Sequence, residues 1–94
     1  MSTPSDSSTP RARWYVYVLY SPSTGLLYTG VSTAPTARLE RHNLGKGGPE
    51  TRVGRPWLLV RTEEKRTKGD ALKRELEMKQ LKKNELLVLA GLAA

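Results

Sequence analysis

The chain has 94 residues, enough for one compact domain and too few for a second hydrophobic core. It contains no cysteine and a single histidine, His42, which excludes a disulfide framework and any metal site built from several thiolates or imidazoles. Lys and Arg number 16 against 9 Asp and Glu, giving a formal net charge of +7. A small domain this basic is expected to bind a polyanion, and nucleic acid is the first candidate.

Nothing in the sequence suggests a membrane or secreted protein. No apolar run approaches the roughly 18 residues needed to cross a bilayer. The first ten residues, MSTPSDSSTP, are polar and lack the basic and apolar regions of a signal peptide. We therefore expect a cytoplasmic protein in which residues 1–13 form a flexible tail and residues 14–94 form the folded domain.

Two strands are predicted first. Residues 14–20, WYVYVLY, are all aromatic, Val or Leu, and the turn-forming segment Ser21–Gly25 separates them from a second strand at residues 26–31. These strands should form a β-hairpin in which paired residue numbers sum to about 45 or 46. That register places Tyr17 and Tyr28 nearly opposite each other.

The next segments predict a helix and a loop. Pro35 in a first turn, with Ser32 and Thr33 available as caps, indicates a helix over residues 36–44 that carries Arg38, Arg41 and His42 on one face. Residues 45–56 contain four Gly and two Pro, which is typical of a loop, and they lack the pattern of a nucleotide-binding P-loop.

The remainder predicts a strand at residues 57–62, a helix at residues 70–82 and a short helix at residues 85–92 capped by Asn84. The order β-β-α-β-α-α predicts a small α+β fold, with a three-stranded antiparallel sheet flanked by helices.

Positive charge is concentrated in the middle of the chain. Residues 38–61 hold six bases and two acids. We expect this segment to contact the phosphate backbone of DNA. The residues assigned to that contact are Arg38, Arg41, Lys46, Arg52 and Arg55.

Glu75 is an unusual residue of the helix predicted at 70–82. On a helical wheel it falls near the middle of an apolar arc made by Ala71, Leu72, Leu76, Met78 and Leu81. A carboxylate directed at the body of a protein needs a cation or a metal. The alternative is an ion pair with Lys79, one turn later, at the edge of that face.

The aromatic residues are also unusual, because the chain has four tyrosines and no phenylalanine. Packing alone would not require the phenol oxygen, so the hydroxyl groups suggest a chemical role. The half-motifs Tyr15-Val16-Tyr17 and Tyr28-Thr29-Gly30 place two tyrosines eleven residues apart. Arg38 follows eight residues after Gly30, and Glu75 lies in the later helix.

This ordered set resembles the GIY-YIG nuclease domain, in particular the small stand-alone bacterial proteins, from Trp14 to about Leu89. The resemblance implies that Tyr17 and Tyr28 position or deprotonate the attacking water and that Arg38 faces the scissile phosphate. It also implies that Glu75 holds one divalent metal, Mg²⁺ or Mn²⁺, and that His42 relays a proton or contacts phosphate. The sequence does not decide which of Tyr17, Tyr28 and His42 is the general base.

Two positions depart from the family pattern. Tyr15 replaces the first glycine, and Val31-Ser32 stand where some members have a lysine. The second departure leaves more of the activation of water to the tyrosines or His42, and a tyrosine needs a nearby cation such as Arg38 to lower its pKa from about 10.

The sequence thus predicts a metal-dependent DNA endonuclease, more selective for DNA structure than for sequence, of the kind used in repair or recombination. The alternative is a DNA-binding module on the same fold with weak or partner-dependent catalysis. A third hypothesis is an interaction protein that pairs through residues 86–89. The DNA substrate, the cleavage position, a protein partner and the oligomeric state are left open.

Overall fold

The computed structural model describes residues 13–93, which form a three-stranded antiparallel sheet with helices on both faces. The strands are β1 (Trp14–Tyr20), β2 (Leu27–Ser32) and β3 (Leu58–Lys65), in the spatial order β2-β1-β3. The helices are α1 (Pro35–Asn43), α2 (Pro49–Arg52), α3 (Lys68–Lys79) and α4 (Lys83–Leu89). The predicted fold class is confirmed. The predicted tail lies outside the described residues except for Arg13, and no helix of residues 13–93 is long and apolar enough to cross a membrane.

Alternation along β1 divides the domain into two layers. Val16 and Val18 face a core that includes Ala71 and Met78 of α3 and Leu86 of α4. Tyr17 points to the opposite face, where it meets His42 of α1. The sheet is therefore covered on both sides, and the tyrosine motif lies on the α1 side.

The hairpin register differs from the predicted one. Tyr17 pairs with Gly30 and Leu19 with Tyr28, so paired residue numbers sum to 47. The predicted register is wrong, and Tyr28 lies diagonal to Tyr17 instead of nearly opposite it. Ser21 closes the hairpin instead of belonging to the loop, because its N–H donates to the carbonyl of Leu26 at 2.9 Å. Because the partner of Tyr17 is Gly30, two residues after Tyr28 in β2, both tyrosines lie on the same face of the sheet as diagonal neighbours.

The bounds of α3 and α4 also differ from prediction. Helix α3 begins two residues earlier than predicted, at Lys68, because Oγ1 of Thr67 caps it by accepting the backbone N–H of Asp70 at 3.0 Å. Asn84 lies inside α4 and does not cap it; the carboxylate of Glu85 accepts the N–H of Lys82 at 2.8 Å instead. The apolar arc of α3 is narrower than predicted, since Leu72 and Leu76 are exposed.

Helices α1 and α2 and strand β3 also differ from the prediction. Ser32 and Thr33 do not cap α1, and Ser32 Oγ accepts the N–H of Ala34 at 2.9 Å just before the helix begins. The segment predicted as a loop contains the single helical turn α2. Strand β3 starts one residue later and ends three residues later than predicted, where Glu63 forms ion pairs with arginines.

Candidate active site

Four rings from different elements form a cluster on the α1 side of the sheet. The centroid of Tyr28 lies 6.3 Å from that of Tyr17, 5.0 Å from that of His42 and 6.5 Å from that of Trp57. The hydroxyl of Tyr17 is 3.2 Å from Nε2 of His42, and both side chains are buried. The cluster therefore places a phenol and an imidazole in direct hydrogen-bond contact, as proton transfer requires.

Gly30 makes room for the ring of Tyr17. A Cβ atom on Gly30 would lie 2.6 Å from the phenol oxygen of Tyr17, which is closer than Cβ atoms approach other atoms in proteins. The missing side chain in edge strand β2 thus lets the ring of Tyr17 lie across that strand. This is a physical reason for the glycine of the second half-motif.

His42 is enclosed by the segment that follows α1. Its Nδ1 lies 2.8 Å from Oγ1 of Thr51 in α2, and its imidazole ring lies against Gly47, where a Cβ atom would collide with it. Both ring nitrogens consequently have hydroxyl partners. The absence of a side chain at Gly47 is therefore explained by the close approach of the His42 ring.

Burial and nearby charges change the pKa values of Tyr17 and His42. Burial, followed by the adjacent Tyr28, raises the pKa of Tyr17 to about 12; the positive charge of Arg38 opposes this shift and the negative charge of Glu75 adds to it. Burial, followed by the charge of Arg38, lowers the pKa of His42 below its usual 6.5. At neutral pH, His42 is therefore an uncharged imidazole and Tyr17 a neutral phenol. The charge of Arg38 acts in the expected direction on Tyr17, but desolvation is the larger effect and the pKa is raised overall.

Arg38 and Glu75 act on the cluster through their charges. Arg38, on α1, is exposed, and its charge acts on both Tyr17 and His42. The side chain of Glu75, on α3, is 16% exposed and its charge acts on Tyr17. The rings of Tyr17, Tyr28 and His42 are thus in contact, and the charges of Arg38 and Glu75 act on this cluster although Tyr17 and Glu75 are far apart in sequence.

Glu75 also forms the ion pair that the sequence offered as its alternative role. Its Oε2 lies 3.3 Å from Nζ of Lys79, whose side chain is 54% exposed. Among residues 13–93, no three carboxylate or imidazole groups converge to form a multidentate metal centre. A single carboxylate suits Mg²⁺, which keeps several waters and takes its remaining ligands from substrate oxygens. The donor set therefore fits one such ion once Lys79 moves aside.

The predicted DNA contacts are exposed. Within the described part of the chain none of them has a carboxylate within ion-pair distance. Arg55 Nε donates to the carbonyl of Arg52 at 2.8 Å, which orders part of this surface without neutralising it. These residues, Arg38, Arg41, Lys46, Arg52 and Arg55, come from α1, α2 and the segments beside them.

Sequence reasoning missed three residues that support the site: Asn43, Thr51 and Trp57. Trp57 Nε1 donates to the carbonyl of Thr51 at 2.6 Å, and its backbone N–H donates to Oδ1 of Asn43 at 2.6 Å. Pro49 directly after Gly48, with Glu50 in the first turn, is a helix-start signal that would have revealed α2.

Comparison with known proteins gives the family. The family model for the GIY-YIG catalytic domain matches residues 13–87, which is most of the chain. The chain belongs to the GIY-YIG family. The family is one of nucleases, so the resemblance drawn from the tyrosine, arginine and glutamate motifs is confirmed.

Similar proteins carry the name UPF0213. One from Staphylococcus aureus (strain Mu3) is 44% identical over 75 residues, covering 80% of this chain and 90% of its own length. One from Aeromonas salmonicida is 42% identical over 77 residues, covering 82% of this chain but only 56% of its own length. The NMR structure of UPF0213 protein BH0048 from Bacillus halodurans is similar with a TM-score of 0.53 and 35% identity, covering 85% of this chain and 84% of that one. Small bacterial proteins named UPF0213 are thus among the relatives of this chain.

Proposed function

We propose that this protein is a metal-dependent DNA endonuclease that hydrolyses phosphodiester bonds and selects DNA by structure rather than by sequence. One observation carries the proposal: in a GIY-YIG domain, the hydroxyl of Tyr17 lies 3.2 Å from Nε2 of a neutral, buried His42. Hydrolysis needs a water to lose its proton as it attacks phosphorus, and this pair supplies a path for that proton.

In the proposed path, the attacking water gives a proton to the oxygen of Tyr17 while the Tyr17 hydroxyl gives its own proton to Nε2 of His42. The water oxygen forms the new bond to phosphorus, and the bond from phosphorus to the leaving oxygen breaks. The leaving oxygen takes a proton from solvent. His42 then returns its proton to solvent and the resting state is restored.

The two transfers must be concerted. Burial raises the pKa of Tyr17 to about 12 and lowers the pKa of His42 below its usual 6.5, so transfer of a proton from Tyr17 to His42 alone is strongly unfavourable. A free tyrosinate is therefore a poor intermediate. If the oxygen of Tyr17 receives one proton as it releases another, it never carries the full negative charge.

Arg38 is assigned to the phosphate. Its guanidinium stays protonated and presents planar donors that match phosphate oxygens bidentately. Arg38 is also exposed beside the Tyr17–His42 pair, so DNA can reach it without any rearrangement of the core. A bound phosphate would in turn screen the charge of Arg38 from His42 and make the imidazole a better proton acceptor.

Glu75 is assigned to the metal. A divalent ion bound there would stabilise charge on the phosphoryl oxygens and the leaving oxygen. Its arrival would compete with Lys79, which is free to swing away because its side chain is largely exposed. A positive ion beside Glu75 would also cancel the negative charge that now raises the pKa of Tyr17.

Structure selectivity is supported by the kind of contacts available. The exposed cationic side chains of α1, α2 and the intervening segment would meet phosphates, which carry no direct sequence information. Nicked, flapped or branched DNA is therefore the expected substrate, and repair or recombination the expected use.

One observation favours the alternative, a DNA-binding module with weak or partner-dependent catalysis. Lys79 is paired with the carboxylate of Glu75, and the pKa of Tyr17 is raised, so the free protein has neither an open metal ligand nor an easily deprotonated tyrosine. A partner protein would then be needed to move Lys79 or complete the site.

A nicking assay separates the two functions. Purified protein is incubated with linear, nicked, flapped and branched DNA in Mg²⁺ or Mn²⁺, beside Tyr17→Phe and the matched control Tyr20→Phe, a tyrosine outside the ring cluster. The enzyme hypothesis predicts cleavage by the wild type and the control and loss in Tyr17→Phe. Binding without cleavage in all three proteins would favour the module.

A further inference from the structure

Thr51 is fully buried in α2, and its hydroxyl touches two groups of opposite hydrogen-bonding character. Oγ1 lies 3.3 Å from the carbonyl oxygen of Gly48, to which it donates, and 2.8 Å from Nδ1 of His42. A carbonyl oxygen can only accept, and a hydroxyl has one proton. With the Thr51 proton donated to Gly48, Oγ1 accepts from Nδ1–H of His42.

This direction fixes the state of the imidazole. A neutral imidazole carries one N–H, so a proton on Nδ1 leaves a lone pair on Nε2. Nε2 is the nitrogen that faces the hydroxyl of Tyr17. We infer that Thr51 is a positioning residue that holds His42 in the tautomer whose Nε2 lone pair accepts the proton of Tyr17.

The structure fixes Thr51 from its other side as well. Trp57 Nε1 donates to the Thr51 carbonyl at 2.6 Å, while Asn43 at the end of α1 accepts the Trp57 N–H at 2.6 Å and donates to the Trp57 carbonyl at 3.1 Å. Helix α2 is thus tied to the end of the helix that carries His42. The single helical turn α2, within a glycine-rich segment, therefore holds the Thr51 hydroxyl beside Nδ1 of His42.

Other groups around His42 do not replace Thr51. Tyr17 from β1 and Tyr28 from β2 face the ring, Arg38 and Arg41 lie on its own helix, and Glu50 lies on α2. In the described residues, the hydrogen bonds to the ring come from Tyr17 and Thr51. In the opposite tautomer Nε2–H would donate to Tyr17, whose hydroxyl could then no longer donate to His42.

The assignment can be tested by NMR because His42 is the only histidine of the chain. In protein labelled with ¹⁵N, the two-bond ¹H–¹⁵N spectrum of a single imidazole reports which nitrogen carries the proton. We expect the Nδ1–H tautomer in the wild type and in Thr51→Ser, which keeps the hydroxyl. Thr51→Val has nearly the same shape but cannot accept, and we expect it to shift His42 toward the Nε2–H tautomer.

Two results would overturn the inference: an Nε2–H tautomer in the wild type, or an unchanged Nδ1–H tautomer in folded Thr51→Val. If Thr51→Val fails to fold, as judged by its amide spectrum, the wild type and Thr51→Ser decide the question. An Nδ1–H tautomer in both supports the inference, and an Nε2–H tautomer in either overturns it.

The catalytic consequence rests on the proposed function. If the protein is the proposed nuclease, Thr51→Val should lower kcat for nicking about tenfold to a hundredfold, as expected of a residue that orients a catalytic group, with little change in KM for DNA. Thr51→Ser should restore kcat and the pH profile. Absence of cleavage in the wild type would contradict the proposed function alone, since the tautomer is measured without DNA.

Discussion

Replacing Glu63 by Gln should make the protein less stable and remove much of its sensitivity to acid. Glu63 lies on β3 with a side chain only 13% exposed, and its carboxylate binds Nε of Arg61 and Nε of Arg74 at 2.8 Å each. Because Arg74 directly precedes Glu75 in α3, this ion cluster also holds the helix that carries the candidate metal ligand. The two arginines, hydrogen-bonding first through Arg74, lower the pKa of Glu63 from 4.5 to about 2.

The pKa shift of Glu63 gives the size and the sign of its effect on stability. A difference of two and a half units corresponds to at most about 3.4 kcal/mol, and we expect about 2 kcal/mol because the arginines are partly exposed. Since the pKa is lower in the folded state, this stability is present above pH 4.5 and is lost as the pH falls toward 2. Glu63→Gln should therefore cost about 2 kcal/mol at pH 7 and much less at pH 2.

Urea unfolding followed by tryptophan fluorescence measures the free energy of unfolding of each variant, since Trp57 is 2% exposed in the folded state. Glu64→Gln is the matched control, because Glu64 pairs with Arg13 at the surface, where both side chains are about half exposed. That variant should lose less than about 1 kcal/mol. Equal losses in the two variants, or a loss in Glu63→Gln that is the same at pH 7 and pH 2, would refute the reasoning.

Three further outcomes are expected. Gly30→Ala should displace the Tyr17 hydroxyl and lower the nicking rate at least about tenfold, while circular dichroism shows a folded chain. The control Gly69→Ala, whose Cβ would meet only Thr67 Oγ1 at 3.8 Å, should leave the nicking rate and the circular dichroism spectrum unchanged. Equal nicking rates in the two variants would contradict the packing argument. Lys46→Ala and Arg52→Ala should weaken binding to all DNA sequences alike and each reduce the slope of log K against log salt by about one in fluorescence anisotropy, and an unchanged slope would place DNA on another face. Because the pKa of His42 is lowered, cleavage should stay constant as pH falls to 6.5 and decline only below it; a decline that begins above 6.5 would exclude neutral His42 as the acceptor.

The sequence predicted the sheet well because β1 has a strong local signal. Residues 14–20 alternate between a core-facing and a site-facing side, and nearly every residue favours a strand. The register was misjudged because it depends on the Ser21–Leu26 backbone pair, a contact that turn composition does not reveal. Helix ends were misjudged for a similar reason, since Thr67 and Asp70 compete for the role of cap.

The tyrosines, Arg38, His42 and Glu75 were proposed as site residues from the resemblance of their motifs to the GIY-YIG family, but the surroundings of these side chains could not be predicted. Whether Arg38 or burial has the larger effect on the pKa of Tyr17 depends on solvent exposure, and in the structure burial has the larger effect. Thr51 was missed because its role depends on a contact with His42 nine residues away in sequence, within a segment whose glycines suggested only a loop. Both alternatives for Glu75 hold in part, because it pairs with Lys79 and its charge reaches Tyr17.

The most direct test of the proposed nuclease is the Mg²⁺-dependent nicking activity of Glu75→Gln, measured beside Glu77→Gln in protein free of contaminating nuclease. Gln keeps the volume and helix propensity of Glu but lacks the charge that would hold a divalent ion. Glu77 lies on the same helix, 51% exposed and paired with Arg74, away from the ring cluster. The proposal predicts that Glu75→Gln folds, binds DNA and does not nick it, while Glu77→Gln nicks at the wild-type rate. Full nicking by Glu75→Gln would contradict the proposal.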